Sequence, residues 1–132
     1  MNNDVVIYQS SDGLVKMEAI VDASNETIWA TQKAMAQLFG VNVPAISKHL
    51  KNIYSEGELA ESMTISKMET VVQRGFRGAV REMVEFYNLD AIISVGYRIN
   101  SRQATAFRQW ATSVLKQYMI KGYAVNHNAV SE

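Results

Sequence analysis

Apolar and polar positions change period several times along the chain, and each change predicts a new element. Val5–Gln9 and Leu14–Val21 are runs rich in β-branched and apolar residues. Ser10-Ser11-Asp12-Gly13 between them is a strong turn signal, so the pair predicts a β-hairpin. Glu26–Trp29 predicts a third short strand, entered through Ala23-Ser24-Asn25. The period then becomes helical: Ala34, Met35, Leu38 and Phe39 fall on one face behind Thr31, whose hydroxyl can accept a free N–H of the first turn. Gly40 ends this helix because it reaches positive φ at little cost. Asn42 caps a second helix, with Pro44 in its first turn, where a missing N–H costs nothing. Ile46, His49, Leu50 and Ile53 mark its buried side.

Beyond an acidic connector containing Gly57, Thr64–Gln73 and Ala79–Tyr87 flank Arg74-Gly75-Phe76-Arg77-Gly78. Thr, Ile and Val make the first arm strand-like, and two glycines suit a hairpin tip; the second arm is compatible with strand or helix. Asn88 or Asp90 starts a short helix, Ala91–Val95, that Gly96 ends. Ser101 caps a final helix, Arg102–Lys121, which Gly122 stops. Its apolar stripe runs through Ala104, Phe107, Trp110, Ala111, Val114, Leu115, Tyr118 and Met119. Trp29 and Trp110 are read as core residues. The expected fold is α+β: a winged helix-turn-helix with an N-terminal β-hairpin, a second hairpin as the wing, and a long C-terminal helix. One domain is expected over residues 1–124, with a tail at 125–132.

Composition narrows the class. The 132 residues are 48% hydrophobic and 20% charged, as in a globular domain able to bury a core. Absence of Cys excludes disulfides and Cys-based zinc sites, and is compatible with the cytoplasm. The acidic N-terminus lacks the apolar region of a signal peptide. No apolar run approaches the ~18 residues of a membrane span, so no membrane partner is expected. Net charge is zero, which counts against a strongly basic nucleic-acid binder, but the charges are blocked. Asp4, Asp12, Glu18, Asp22 and Glu26 face only Lys16; residues 31–55 hold Lys33, Lys48 and Lys51 and no acid. Arg74, Arg77 and Arg81 form a second basic block, and residues 91–131 a third.

Residues 31–52 carry the chemistry. A helix-turn-helix needs a small residue where its helices cross, a Gly in the turn, and apolar residues locking the second helix on the first. Ala36, Gly40, Val41 and Ile46 fall in that register. Asn42, Val43, Pro44, Ser47, Lys48 and Lys51 then point outward. Lys48 and Lys51 would meet phosphates or guanine edges, Ser47 either, and Val43 a thymine methyl. Asn42 could bond adenine or serve only as the cap. The free N–H groups of Gln32 and Lys33, near Thr31, could hold a further phosphate. Few side chains here suit bidentate base reading, so phosphate contacts should dominate affinity. The alternative is an ordinary pair of packed helices.

Residues 27–59 and 87–123 resemble the RhuM family of virulence-associated and mobile-element proteins. The runs that carry the resemblance are Trp29-x-Thr31-Gln32, Met35-Ala36-x-Leu38-Phe39, Ile46-Ser47-x-His49-x-x-Asn52-Ile53 and Asn88-Leu89-Asp90-x-Ile92-Ile93-Ser94-Val95-Gly96-Tyr97-Arg98. The resemblance covers most of residues 4–124, and is shared distantly with phage antirepressor N-terminal domains. It implies a bacterial or phage-borne DNA-binding protein, often encoded near restriction–modification genes. Members often carry polar residues or Arg where this chain has Val43-Pro44. Many are longer, so a C-terminal effector region is expected to be absent.

Other constellations add less. Arg74, Phe76 and Arg77 would make a wing tip for a narrow minor groove, with Phe76 wedged against sugars or bases; the alternative is a solvated turn with Phe76 folded onto the core. Arg98, Arg102, Arg108, Lys116 and Lys121 form either a solvated face or a second DNA contact. His49 and His127 are far apart and no metal-ligand spacing exists, so neither metal nor cofactor is expected. Ser47 and His49 point to different helix faces and form no triad, and no catalytic constellation is present, so an enzyme is not expected. The expected partner is double-stranded DNA, bound by a homodimer. The alternative partner is a neighbour-encoded protein, captured by a phage-type antirepressor or toxin–antitoxin module.

Overall fold

The computed structural model describes residues 3–131, with side chains described for residues 4–120. Among them the chain is mixed α+β, with five α-helices and two small antiparallel sheets. Strands β1 (Asn3–Gln9), β2 (Lys16–Asp22) and β3 (Thr27–Trp29) form the first sheet in that order. Helices α1 (Gln32–Phe39), α2 (Val43–Ser55) and α3 (Glu61–Thr64) follow. Strands β4 (Ile65–Gln73) and β5 (Ala79–Tyr87) make the second sheet, and helices α4 (Leu89–Ile99) and α5 (Ser101–Ser131) complete the chain.

Alternation decides which face of the first sheet is buried. Tyr8, Met17, Ala19 and Val21 point inward, while Val5 and Ile7 are exposed. The inward face meets α5, where Tyr8 packs edge-on against Phe107 and Trp110 at centroid distances of 5.3 and 5.1 Å. The same core takes Met35, Leu38 and Phe39 from α1, Ile46, Leu50 and Ile53 from α2, and Ile92 and Val95 from α4. Trp110 is half-buried against this core, and half-buried Trp29 donates from Nε1 to Asp22 at 3.0 Å.

Several boundaries differ from the sequence expectation. Strand β2 begins at Lys16 rather than Leu14, because Asp12 Oδ1 accepts from Leu14 N and Ser10 Oγ accepts from Val15 N, holding both in the loop. Strand β3 begins at Thr27 because Glu26 has φ 53°, which a strand cannot hold. Thr64 closes the unforeseen α3 instead of opening a strand; its buried hydroxyl donates to Ala60 O and bonds Tyr54 Oη at 2.8 Å. Residues 79–87 are strand, paired along their whole length with β4. His49 and Met119 are less covered than expected: His49 is half-buried and Met119 exposed.

Two glycines expected to stop helices lie inside them. Helix α4 passes through Gly96 to Ile99, and Gly96 is there for close packing. A Cβ on it would lie 2.5 Å from Phe39 Cζ and 2.7 Å from the Ala104 methyl. Helix α5 passes through Gly122 to Ser131. Glycine weakens a helix by ~1 kcal/mol without forbidding helical dihedrals. The side chains of the expected tail, 125–132, lie outside the described residues. The cap of α5 is Asn100, whose Oδ1 accepts from Gln103 N at 3.1 Å, rather than Ser101, which lies inside the helix.

Candidate functional site

Helices α1 and α2 meet through a turn that local chemistry dictates. Thr31 Oγ1 accepts from Ala34 N at 3.1 Å and so starts α1. Gly40 ends it at φ 69°, with its N–H donating to Ala36 O and the N–H of Val41 to the same carbonyl. Asn42 Oδ1 accepts from Ala45 N at 2.8 Å, with Pro44 in the first turn of α2. Ile46, Leu50 and Ile53 then bury one side of α2 almost completely. The opposite side stays in solvent. Lys48 and Lys51 are exposed on it, Val43 is 40% exposed, and Ser47 is half-buried.

The charges on this side are uncompensated. Among the described residues the ion pairs involve Arg74, Arg81 and Arg98, and none involves Lys33, Lys48 or Lys51. The acidic connector is taken up elsewhere: Arg98 Nη2 lies 2.8 Å from Glu56 Oε1 and 2.9 Å from Glu58 Oε1, tying α4 to the end of α2. That contact holds the Glu58 carboxyl below the usual carboxylate range. Arg98 is therefore part of the scaffold and not of a solvated α5 face.

The base of the β4–β5 hairpin stands beside α2. Gln32, Ser47 and Lys51 share one open groove of about 450 Å³ with Tyr54, Glu85 and Tyr87. Within it Gln32 Nε2 donates to Tyr87 Oη at 2.9 Å, and Tyr87 Oη donates to Glu85 at 3.1 Å. Burial foremost pushes the Tyr87 phenol up to about 12. Glu61 and Glu85 line this groove together with Lys51, which makes it unfavourable for phosphate.

The eleven residues singled out from the sequence thus divide. Gln32, Ser47 and Lys51 are brought together. Lys48 and Val43 lie on the same exposed side of α2, and Lys33 is exposed on α1. Thr31 and Asn42 have their side chains engaged as caps. Phe76 and Arg77 stand exposed at the hairpin tip, whereas Arg74 is held by Glu82, its Nε 2.7 Å from Oε2. Sequence reasoning missed Tyr87 and Glu85. A buried phenol at a strand end carries no spacing signal; only the Ala30–Tyr87 bridge between the two sheets brings it to Gln32.

A family model with the description "Virulence protein RhuM family" matches residues 63–132, more than half of the chain. The match begins at the end of α3 and takes in the β4–β5 hairpin, α4 and α5, leaving α1 and α2 outside it. Comparison with curated proteins and with solved structures gives no match. No described helix is long and apolar enough to cross a membrane.

Proposed function

The chain belongs to the virulence protein RhuM family, and from that premise and the α1–α2 geometry we propose that it binds double-stranded DNA. In this reading the fold is a winged helix-turn-helix, α2 is the recognition helix, and the β4–β5 hairpin is the wing. The protein acts as a transcriptional regulator or as a mobile-element or defence-associated DNA binder. One observation carries the reading: Lys48 and Lys51 stand exposed and without ion pairs on the side of α2 opposite its buried stripe. Cations held without counter-charges on a rigid helix supply the phosphate contacts that dominate DNA affinity. Ser47 and Val43 add a hydroxyl and an apolar contact for base edges.

A homodimer follows from the same reading, since two half-sites a helical turn apart need two recognition helices. The surface we assign to it is an open apolar hollow of about 660 Å³ lined by Leu89, Leu115, Met119 and Ile120, with Glu26 and Lys116 at its edge. Neither Glu26 nor Lys116 makes an ion pair among the described residues. An apolar lining that carries one unpaired charge of each sign can complement itself, which favours a second copy as occupant. Light scattering of the wild type and of Lys116→Glu checks this: a dimer is expected for the first and a monomer for the second.

The experiment that tests DNA binding is selection of bound sequences from a random duplex pool. Enrichment of a paired half-site, lost in Lys48→Glu/Lys51→Glu, is expected. No duplex binding at low salt would sink the reading. A second reading, a protein-interaction module, is favoured by the exposed Val43-Pro44 step and by Glu61 and Glu85 beside α2. Salt-independent capture of a neighbour-encoded protein, without duplex binding, is the result that would select it.

A further inference from the structure

The β4–β5 hairpin is an arm rather than a packed sheet. Nine residues per strand at ~3.3 Å each give a ribbon roughly 30 Å long, comparable to a turn of B-DNA. Such a ribbon is marginal alone, and cross-strand pairs stiffen this one. Met68 faces Val84 and Val72 faces Val80 on one side, while Glu69 binds Arg81 across the other. At the far end Arg74 is clamped by Glu82, and the turn closes through Arg74 N to Gly78 O at 2.9 Å and Gly78 N to Gly75 O at 3.1 Å. Gly75 and Gly78 take φ 56° and 76°, which only glycine holds comfortably. This braced turn presents Phe76 at 103% relative exposure, with no apolar neighbour to cover it.

The charge pattern says how the arm meets a polyanion. On the two faces of the ribbon the guanidinium groups of Arg74 and Arg81 are taken up by Glu82 and Glu69, and Glu85 adds an acid near the root, so neither face offers phosphates a free guanidinium. Residues 74–80 contain no acid, and Arg77 makes no ion pair among the described residues. A narrow tip carrying one free guanidinium and one projecting aromatic ring enters point first. The minor groove admits that shape, attracts Arg through its negative potential, and yields to an apolar wedge between base steps.

We propose that Phe76 is a wedge at the tip of the β4–β5 arm that unstacks a base step in the minor groove and bends the DNA, with Arg77 anchoring it. The inference rests on the DNA-binding reading above. It assigns Arg74 to bracing the tip rather than to phosphate contact.

The test uses an A·T-rich duplex of about 30 base pairs, carrying 2-aminopurine within and a fluorophore pair at its ends. With wild-type protein, 2-aminopurine emission is expected to rise and the end-to-end distance to fall. Phe76→Ala should abolish both changes while affinity falls by roughly 10- to 150-fold at most, since only one side chain's burial is lost. Phe76→Leu should keep most of both, because Leu also serves as a wedge. Arg77→Ala should lower the salt slope of binding by about 1. Phe76 touches no core residue, so unchanged melting temperatures are expected throughout. Duplex binding without bending, or equal bending by Phe76→Ala, overturns the proposal and leaves the recognition-helix reading intact. Loss of wild-type duplex binding altogether removes the reading beneath it. Binding to anionic vesicles that depends on Phe76, without any effect on DNA, would assign the tip to a membrane surface and overturn the wedge.

Discussion

Gln32 opens α1 and Tyr87 closes β5, and the amide of the first donates to the phenol of the second at 2.9 Å. The bond joins the start of the proposed DNA-reading helices to the root of the proposed arm. The phenol titrates at about 12, above its ordinary value of 10.0, chiefly because it is buried. A folded value above the unfolded one means that its stabilisation is present below pH 10 and is lost as pH rises towards 12. Tyr87→Phe should therefore flatten the alkaline fall in melting temperature, as followed by circular dichroism. An alkaline profile identical to that of the wild type would show that Tyr87 does not govern it.

Asp22 makes the opposite prediction at acid pH. Its oxygens accept from Ser24 Oγ, Asn25 N, Asn25 Nδ2 and Trp29 Nε1. Burial alone would push its carboxyl up, but the hydrogen bonds from Asn25, Trp29 and Ser24 outweigh it and hold the group below its ordinary 3.8. The stability it supplies is present above pH 3.8 and lost as pH falls through the lowered value. Asp22→Asn sets an amide donor against donors and should cost about 2–3 kcal/mol near neutral pH. Urea titration at neutral and acid pH measures both, with a smaller acid slope expected in the variant.

Gly96→Ala sets two effects against each other. Alanine favours a helix by ~1 kcal/mol over glycine. The new methyl would collide with Phe39 and Ala104, and overpacking of a tight core costs ~1–3 kcal/mol. The clash should win, lowering the melting temperature by several degrees. Phe39→Leu in the same chain should relieve part of the loss, and strictly additive effects would refute contact as the cause.

Lys48→Ala/Lys51→Ala tests the proposed interface without reversing charge. If each lysine meets one phosphate, the slope of log K against log salt should shrink by about 2, with the fold unchanged. An unchanged slope would place the DNA elsewhere on the chain.

Local signals were enough to write most of the elements from the sequence. Caps at Thr31 and Asn42, the positive-φ glycine at position 40, and the change from alternating to helical period act over a few residues, so they are visible in a linear string. Lys48 and Lys51 were legible as an outward pair for the same reason, since helical spacing sets their face once Ile46 and Leu50 are buried. What remained hidden depends on partners distant in sequence. Gly96 and Gly122 look like stops to any local rule, yet the crowding of Phe39 and Ala104 explains the first as a packing site inside a continuing helix. Arg98 reads as a solvated cation until folding brings Glu56 and Glu58 to it. Arg74 and Arg77 are equivalent in the string, and only strand register, which sets Glu82 beside the first, leaves the second free at the tip. The sequence by itself determined the capped starts of α1 and α2 and the turns of the two hairpins, because those choices are made by neighbouring residues. Tertiary structure alone decided which charges stay unpaired, because pairing requires side chains far apart in the chain to meet.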